Sequence, residues 1–218
     1  MLFFNFLLIT YNLFNLNKAN LNVYNNNNAI IFYTGGGNTM PIDLYSDFLN
    51  NIQNNNDISI YDSKKIVSFE NLKKKHNNLI LIGHSSGCSN IINNVDNNIN
   101  SIFLLDPVII PFYYKKKNVD FINKIFIINA AKSYKWNILP PFFPFIPFLN
   151  INKKNINYKD NINLIEFANF GHCDLINNPY RDFMHFSRIA IGNDLREDKL
   201  IFSYHNKISN FILKNINE

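Results

Sequence analysis

The chain has 218 residues, of which 47 % are apolar and 17 % charged; this is enough to bury one core and too apolar for a disordered chain. Its usage is skewed: 43 Asn, 33 Ile and 18 Lys stand against 7 Gly and 3 Arg, so runs of Asn carry little information and each Gly is worth locating. The net charge of +5 comes from short Lys clusters with few Arg, which argues against a nucleic-acid surface, and two Cys without ligand spacing argue against a disulfide framework or structural zinc.

Met1–Leu16 is apolar but lacks a basic leader region and a small-residue cleavage site, and it is shorter than the ~20 residues a spanning helix needs. A buried strand is the favoured reading, with a signal peptide or short anchor as the alternatives. No Asn-x-Ser/Thr acceptor occurs despite the Asn content, which argues weakly for an intracellular, soluble protein with reduced Cys.

Near-continuous apolar runs follow at Ala29–Tyr33, Ile58–Tyr61, Leu79–Ile82, Ile102–Leu105, Ile125–Asn129 and Ile162–Phe167. Runs without polar alternation suit strands buried on both faces, hence a parallel sheet covered by helices. Helical stretches fit between them at Leu44–Ile52, Ser68–His76 and Ser86–Asn94, and Lys199–Leu213 carries one apolar face at helical period. The alternation predicts one α/β domain over 1–218, with N-terminal strands in 1–28. Ile138–Leu149 (ILPPFFPFIPFL) is too rich in Pro for a helix interior or central strand. It reads either as a loop folded on the core or, over 138–160, as a cap whose Phe142, Phe143, Phe145 and Phe148 line an apolar substrate pocket or touch lipid.

Leu79–Gly87 reads LILIGHSSG, a buried strand running into G-x-S-x-G at 83–87 and then into a helix. A nucleophilic serine on a strained strand-to-helix turn needs small residues two before and two after it, so Ser85 is the candidate nucleophile. A serine hydroxyl needs a base and an acid to orient that base, in the chain order Ser, acid, His. Of five His, His172 follows the last strand on a loop at the carboxyl end of the sheet and is the candidate base. His84 sits beside the nucleophile pointing elsewhere, and His76, His185 and His205 lie in helical or surface contexts. The segment after Ile125–Asn129 holds no acid, whereas Leu104-Leu105-Asp106 ends a strand; Asp106 is the favoured acid and Asp174 the competitor. An oxyanion hole needs two backbone N–H groups, expected from Ser86 and from the loop Gly35–Gly37, with Gly35 and Gly36 as candidates. Six of the seven glycines fall in these segments.

These motifs resemble the α/β-hydrolases, and among them the chlorophyllase-like branch. GHSSG at 83–87 is similar to that family's elbow, LLDPV at 104–108 to its acid-bearing strand end, and GHCDLINN at 171–178 to its His-bearing segment; TGGG at 34–37 stands where the family usually has His-Gly. The resemblance covers most of 29–213. It implies an α/β-hydrolase fold, a mostly parallel sheet flanked by helices without a large lid domain, with Ser85, Asp106 and His172 as the triad. The expectation is a serine hydrolase cleaving carboxylic esters of small apolar acyl or isoprenoid-type substrates. It needs no cofactor or metal; a membrane would be touched peripherally through the Pro/Phe-rich loop or the N-terminus, and a form anchored through Met1–Leu16 is the third reading. The other class is a non-catalytic protein of the same fold that binds lipid or a protein through the Pro/Phe-rich loop. Cys88 and Cys173 suggest no role.

Overall fold

The computed structural model describes residues 27–54, 58–109, 119, 121–132, 149–150, 162–182 and 197–217. Met1–Leu16, the expected strands before residue 27, His185 and the Pro/Phe-rich stretch as far as residue 148, with Phe142, Phe143, Phe145 and Phe148, lie outside the described residues.

The apolar runs form the sheet. β1 (Asn28–Tyr33), β2 (Ile58–Asp62), β3 (Asn78–His84), β4 (Ser101–Leu105), β6 (Lys124–Ala130) and β8 (Ile162–Phe167) are six parallel strands in the order β2-β1-β3-β4-β6-β8. Alternate residues face opposite layers, as the pleat requires. Ile30, Phe32, Ile80, Ile82, Phe103, Leu105, Phe126 and Ile128 face one helical layer. Ile31, Leu79, Leu81, Ile102, Leu104, Ile125 and Ile127 face the other. Both faces are therefore dry, and the strands read as unbroken apolar runs. β8 is the exception: it is an edge strand, and Leu164 on it is half-exposed.

On the first face lie α1 (Ser46–Gln53) and α4 (Asp198–Asn217), which bury Phe48, Leu49 and Ile52 against Tyr204, Ile208 and Ile212. On the second lie α2 (Phe69–Lys73), capped by Ser68 Oγ accepting from Asn71 N–H, and α3 (Gly87–Asn94), which buries Cys88, Ile91 and Ile92. The expected helix from Leu44 starts as a 3₁₀ turn, Ile42–Tyr45, and becomes α-helical at Ser46. One element was not foreseen. β5 (Val108–Ile109) pairs antiparallel with β7 (Leu149–Asn150), so the end of the Pro/Phe-rich stretch is strand-paired just past Asp106. Among the described residues no helix is long and apolar enough to cross a membrane.

Burial sets the stability contrast between core and edge. Phe103 is fully buried and stacks on Phe126 at a centroid distance of 4.7 Å. Phe103→Ala is expected to cost about 3–5 kcal/mol in a denaturant titration. Leu164→Ala, half-exposed on β8, is expected to cost less than about 1.5 kcal/mol, and equal costs would contradict this packing.

Candidate functional site

The carboxyl ends of β1, β3, β4, β6 and β8 converge on one edge of the sheet. β3 ends at His84, and Ser85 turns the chain into α3 with a left-handed φ of 56°. The turn is tight because α3 starts against the end of β1. A Cβ at Gly87 would sit 2.6 Å from the Tyr33 carbonyl oxygen, and one at Gly83 would sit 2.7 Å from Ile91 Cδ1. A side chain at Gly87 would push strand and helix apart, and one at Gly83 would displace the Ile91 side chain and crowd the Cys88 backbone at 3.1 Å. The strained turn is held by neighbouring backbone: Ser85 N–H donates to Leu105 O, and Val108 N–H donates to Ser85 O, both at 3.1 Å.

Asp106, directly after β4, also has a left-handed φ, 42°. Its backbone N–H donates to Ile128 O at 2.6 Å, and its Oδ1 accepts from Ala130 N–H at 3.1 Å. The carboxylate therefore leans on the end of β6, where the sequence has no acid of its own. Its Oδ2 is hydrogen-bonded to His172 Nδ1. His172 opens a 3₁₀ turn, His172–Leu175, after β8, and its Nε2 lies 2.8 Å from Ser85 Oγ. Ser85, Asp106 and His172 are all buried. Three side chains far apart in sequence thus form one hydrogen-bonded series, hydroxyl to imidazole to carboxylate.

Asp174, the competing acid, does not take the His172 ring. Its Oδ2 accepts from Gly171 N–H at 2.7 Å and caps the turn that carries His172. Lys132 N–H donates to Phe170 O at 3.0 Å, tying the end of β6 to the same loop.

The glycine loop after β1 is a helical turn with left-handed φ at Gly36 (64°) and Gly37 (70°), which only glycine adopts cheaply in succession. Gly37 N–H donates to Ser86 Oγ at 2.5 Å, and Asn90 Nδ2 donates to Gly37 O at 3.0 Å, so the loop is tied to the start of α3. Gly35 corrects the expectation for this loop. Its N–H is already taken inside the fold, donating to the Tyr45 hydroxyl at 3.1 Å. Among the described residues no bond partner takes the N–H groups of Gly36 or Ser86.

His84 does point away from Ser85, but it is part of the site. Its Nδ1 is 2.8 Å from the Tyr45 hydroxyl and its Nε2 is 2.9 Å from the His172 carbonyl oxygen. Burial, followed by the neighbouring His172, lowers its pKa from the ordinary 6.5 to about 3, against a smaller opposing pull from Asp106. His205, expected in a helical or surface context, is helical and buried: it lies on α4 with Nε2 2.7 Å from Asp174 O. Burial lowers its pKa to about 4. Tyr45, Asn38 and Asn90 were not singled out from sequence: Tyr45 looks like any apolar helix residue, and the two Asn are hidden by 41 others.

Cys88 and Cys173 are buried thiols outside any disulfide, and burial raises the Cys88 thiol pKa well above its ordinary value. A separate cavity of about 490 Å³ lies between α1, α4 and the loop after His172, lined by Asp47, Asn177, Arg181 and His205 among others. None of Ser85, Asp106 or His172 lines it. Among the described residues no cluster of three or more His, Cys, Asp or Glu is arranged to hold a metal ion. No family model matches the chain, and no curated protein is significantly similar to it.

Two buried neutral histidines make the fold acid-sensitive. The unfolded chain takes up protons at His84 and His205 below pH 6.5, while the folded chain resists down to about 3 and 4. Stability from both is fully present above pH 6.5 and lost as pH falls through that window, by about 1.4 kcal/mol per pH unit for each excluded proton at most. Melting temperature is expected to fall between pH 6.5 and 4, less steeply in His205→Gln; parallel curves for the two proteins would contradict the assignment.

Proposed function

We propose that the chain is a serine hydrolase of the α/β-hydrolase fold that cleaves carboxylic esters. The observation that supports this reading most directly is the series itself: Ser85 Oγ at 2.8 Å from His172 Nε2, with Asp106 on the other ring nitrogen. Two further features agree with it. The chain order is Ser, acid, His, and the serine stands on a left-handed turn between a parallel strand and a helix.

The chemistry follows from the atoms. The imidazole Nε2 takes the Ser85 proton as Oγ attacks the ester carbonyl. Asp106 holds the ring through Nδ1–H and stabilises the imidazolium. The Gly36 and Ser86 N–H groups receive the oxyanion of the tetrahedral intermediate. Collapse breaks the carbonyl–alkoxy bond, and the leaving alcohol takes the proton from His172. Water, activated by the same nitrogen, then attacks the acyl-serine; the acid is released and Ser85 regains its proton. The acyl or isoprenoid character of the substrate is proposed from the Pro/Phe-rich stretch, with Phe142, Phe143, Phe145 and Phe148 as its apolar contacts.

Wild-type protein is expected to hydrolyse p-nitrophenyl esters and to be labelled at Ser85 by a fluorophosphonate, and Ser85→Ala to lose both. Asp106→Asn is expected to lower kcat by about 10⁴-fold. Equal ester hydrolysis by wild type and Ser85→Ala would overturn the reading. A folded wild-type protein that resists the fluorophosphonate would instead favour a non-catalytic binder.

A further inference from the structure

We propose that Tyr45 and His84 are positioning residues, joined in one directional chain of hydrogen bonds that locks the loop carrying His172 to the glycine loop carrying Gly36. The catalytic meaning of this chain rests on the hydrolase reading above; its direction does not.

The direction follows from chemistry. The His172 carbonyl oxygen can only accept, so the His84 nitrogen facing it at 2.9 Å, Nε2, carries a proton. A neutral imidazole has one N–H, so Nδ1 is bare and accepts from the Tyr45 hydroxyl at 2.8 Å. A lone pair of that hydroxyl accepts the Gly35 N–H at 3.1 Å. Every proton then runs one way: Gly35 to Tyr45, Tyr45 to His84, His84 to the backbone of His172. The other tautomer would set a bare Nε2 against a carbonyl oxygen and leave two buried acceptors facing each other. A charged ring is disfavoured by burial and by the neighbouring His172.

The ends of the chain carry the argument. One end is the N–H of Gly35, one residue before Gly36, the proposed oxyanion donor. The other is the main chain of His172, the proposed base. The middle, His84, is bonded in sequence to Ser85. The connection is also dry and crowded. Tyr45 and His84 are fully buried, and their rings lie 5.4 Å apart, edge to face. The His84 ring lies 4.7 Å from that of His172. A Cβ at Gly35 would come within 3.1 Å of the Tyr45 oxygen, so the loop sits directly on the hydroxyl. In such surroundings a hydrogen bond is stronger than in water and tolerates little displacement. A shift of about 1 Å in the base or the oxyanion donors is worth up to about 100-fold in rate.

The test has an arm independent of activity. In ¹⁵N-labelled wild-type protein, His84 is expected to be neutral with Nε2 protonated from pH 5 to 8; an Nδ1-protonated or charged ring overturns the proposal. In kinetics with a p-nitrophenyl ester, Tyr45→Phe is expected to lower kcat about 10- to 100-fold with KM changed less than about twofold. His84→Gln, whose side-chain N–H can still reach the His172 carbonyl, is expected to retain more kcat than His84→Leu. Ile102→Val, in the opposite layer, serves as a control of reduced stability with unchanged kcat. Wild-type kcat in folded Tyr45→Phe, or equal kcat in the two His84 variants, overturns the proposal. If wild type neither hydrolyses the ester nor takes the fluorophosphonate, the hydrolase reading falls by itself. The chain is then decided by the His84 tautomer, and by the downfield proton between His172 and Asp106. That proton is expected to be sharp in wild type and broadened in Tyr45→Phe; a proton equally sharp in both overturns the proposal.

Discussion

The candidate site depends on how closely α3 is driven onto the end of β1. With no room for a Cβ at Gly87 and little at Gly83, the backbone after β3 reverses within Ser85, in a left-handed conformation. That conformation costs a non-glycine residue about 1 kcal/mol or more. It persists because β4 and the segment after it grip both sides of the turn, through Leu105 O and Val108 N–H. Asp106 repeats the pattern one strand over: its left-handed backbone is held by Ile128 O and Ala130 N–H at the end of β6. Two adjacent strand ends are strained, and each is stabilised by the next strand in the sheet.

Parallel register converts those local turns into geometry. β3 pairs with β4 and β4 with β6, so their carboxyl ends come out level, with His84 opposite Leu105 and Leu105 opposite Ile128. β8 follows beside β6 and brings the loop of His172 to the same edge. A one-residue slip in any of these pairs would turn a core face toward the wrong layer, so the apolar pattern that builds the core also sets where Ser85, Asp106 and His172 meet.

Two histidines in ring contact have opposite environments. His172 has a carboxylate on one nitrogen and a hydroxyl on the other. His84 has a hydroxyl and a carbonyl, with no counter-charge bonded to it, and its depressed pKa keeps it neutral. The same side chain thus joins a hydroxyl to a carboxylate at one position and a hydroxyl to a backbone carbonyl at the other. Asp106 and Asp174 divide in the same way. One faces the ring, and the other holds the turn beneath it through Gly171 N–H.

The six strands of the main sheet, the helices between them and the turn at Ser85 were legible in the sequence, because burial on both faces writes continuous apolar runs and a strand-to-helix reversal demands glycine at fixed offsets; the short β5–β7 pair was not. Ser85, Asp106 and His172 were legible as candidates for local reasons: the first two stand directly after a strand, and His172 lies on the loop that follows the last one. Their partners were not. That Asp106 bonds across to β6, that Asp174 turns back to Gly171, that Tyr45 reaches His84, and that Gly35 N–H is already taken are contacts between segments distant in sequence. Composition hid others, since nothing local distinguishes Asn38 and Asn90, which hold the glycine loop, from the rest of the Asn. The sequence by itself determined the layer structure and the residue types at the strand ends, because periodicity and turn chemistry are short-range properties. Only the tertiary structure decided which donor meets which acceptor, because that depends on strand order and on the angle at which each loop leaves the sheet.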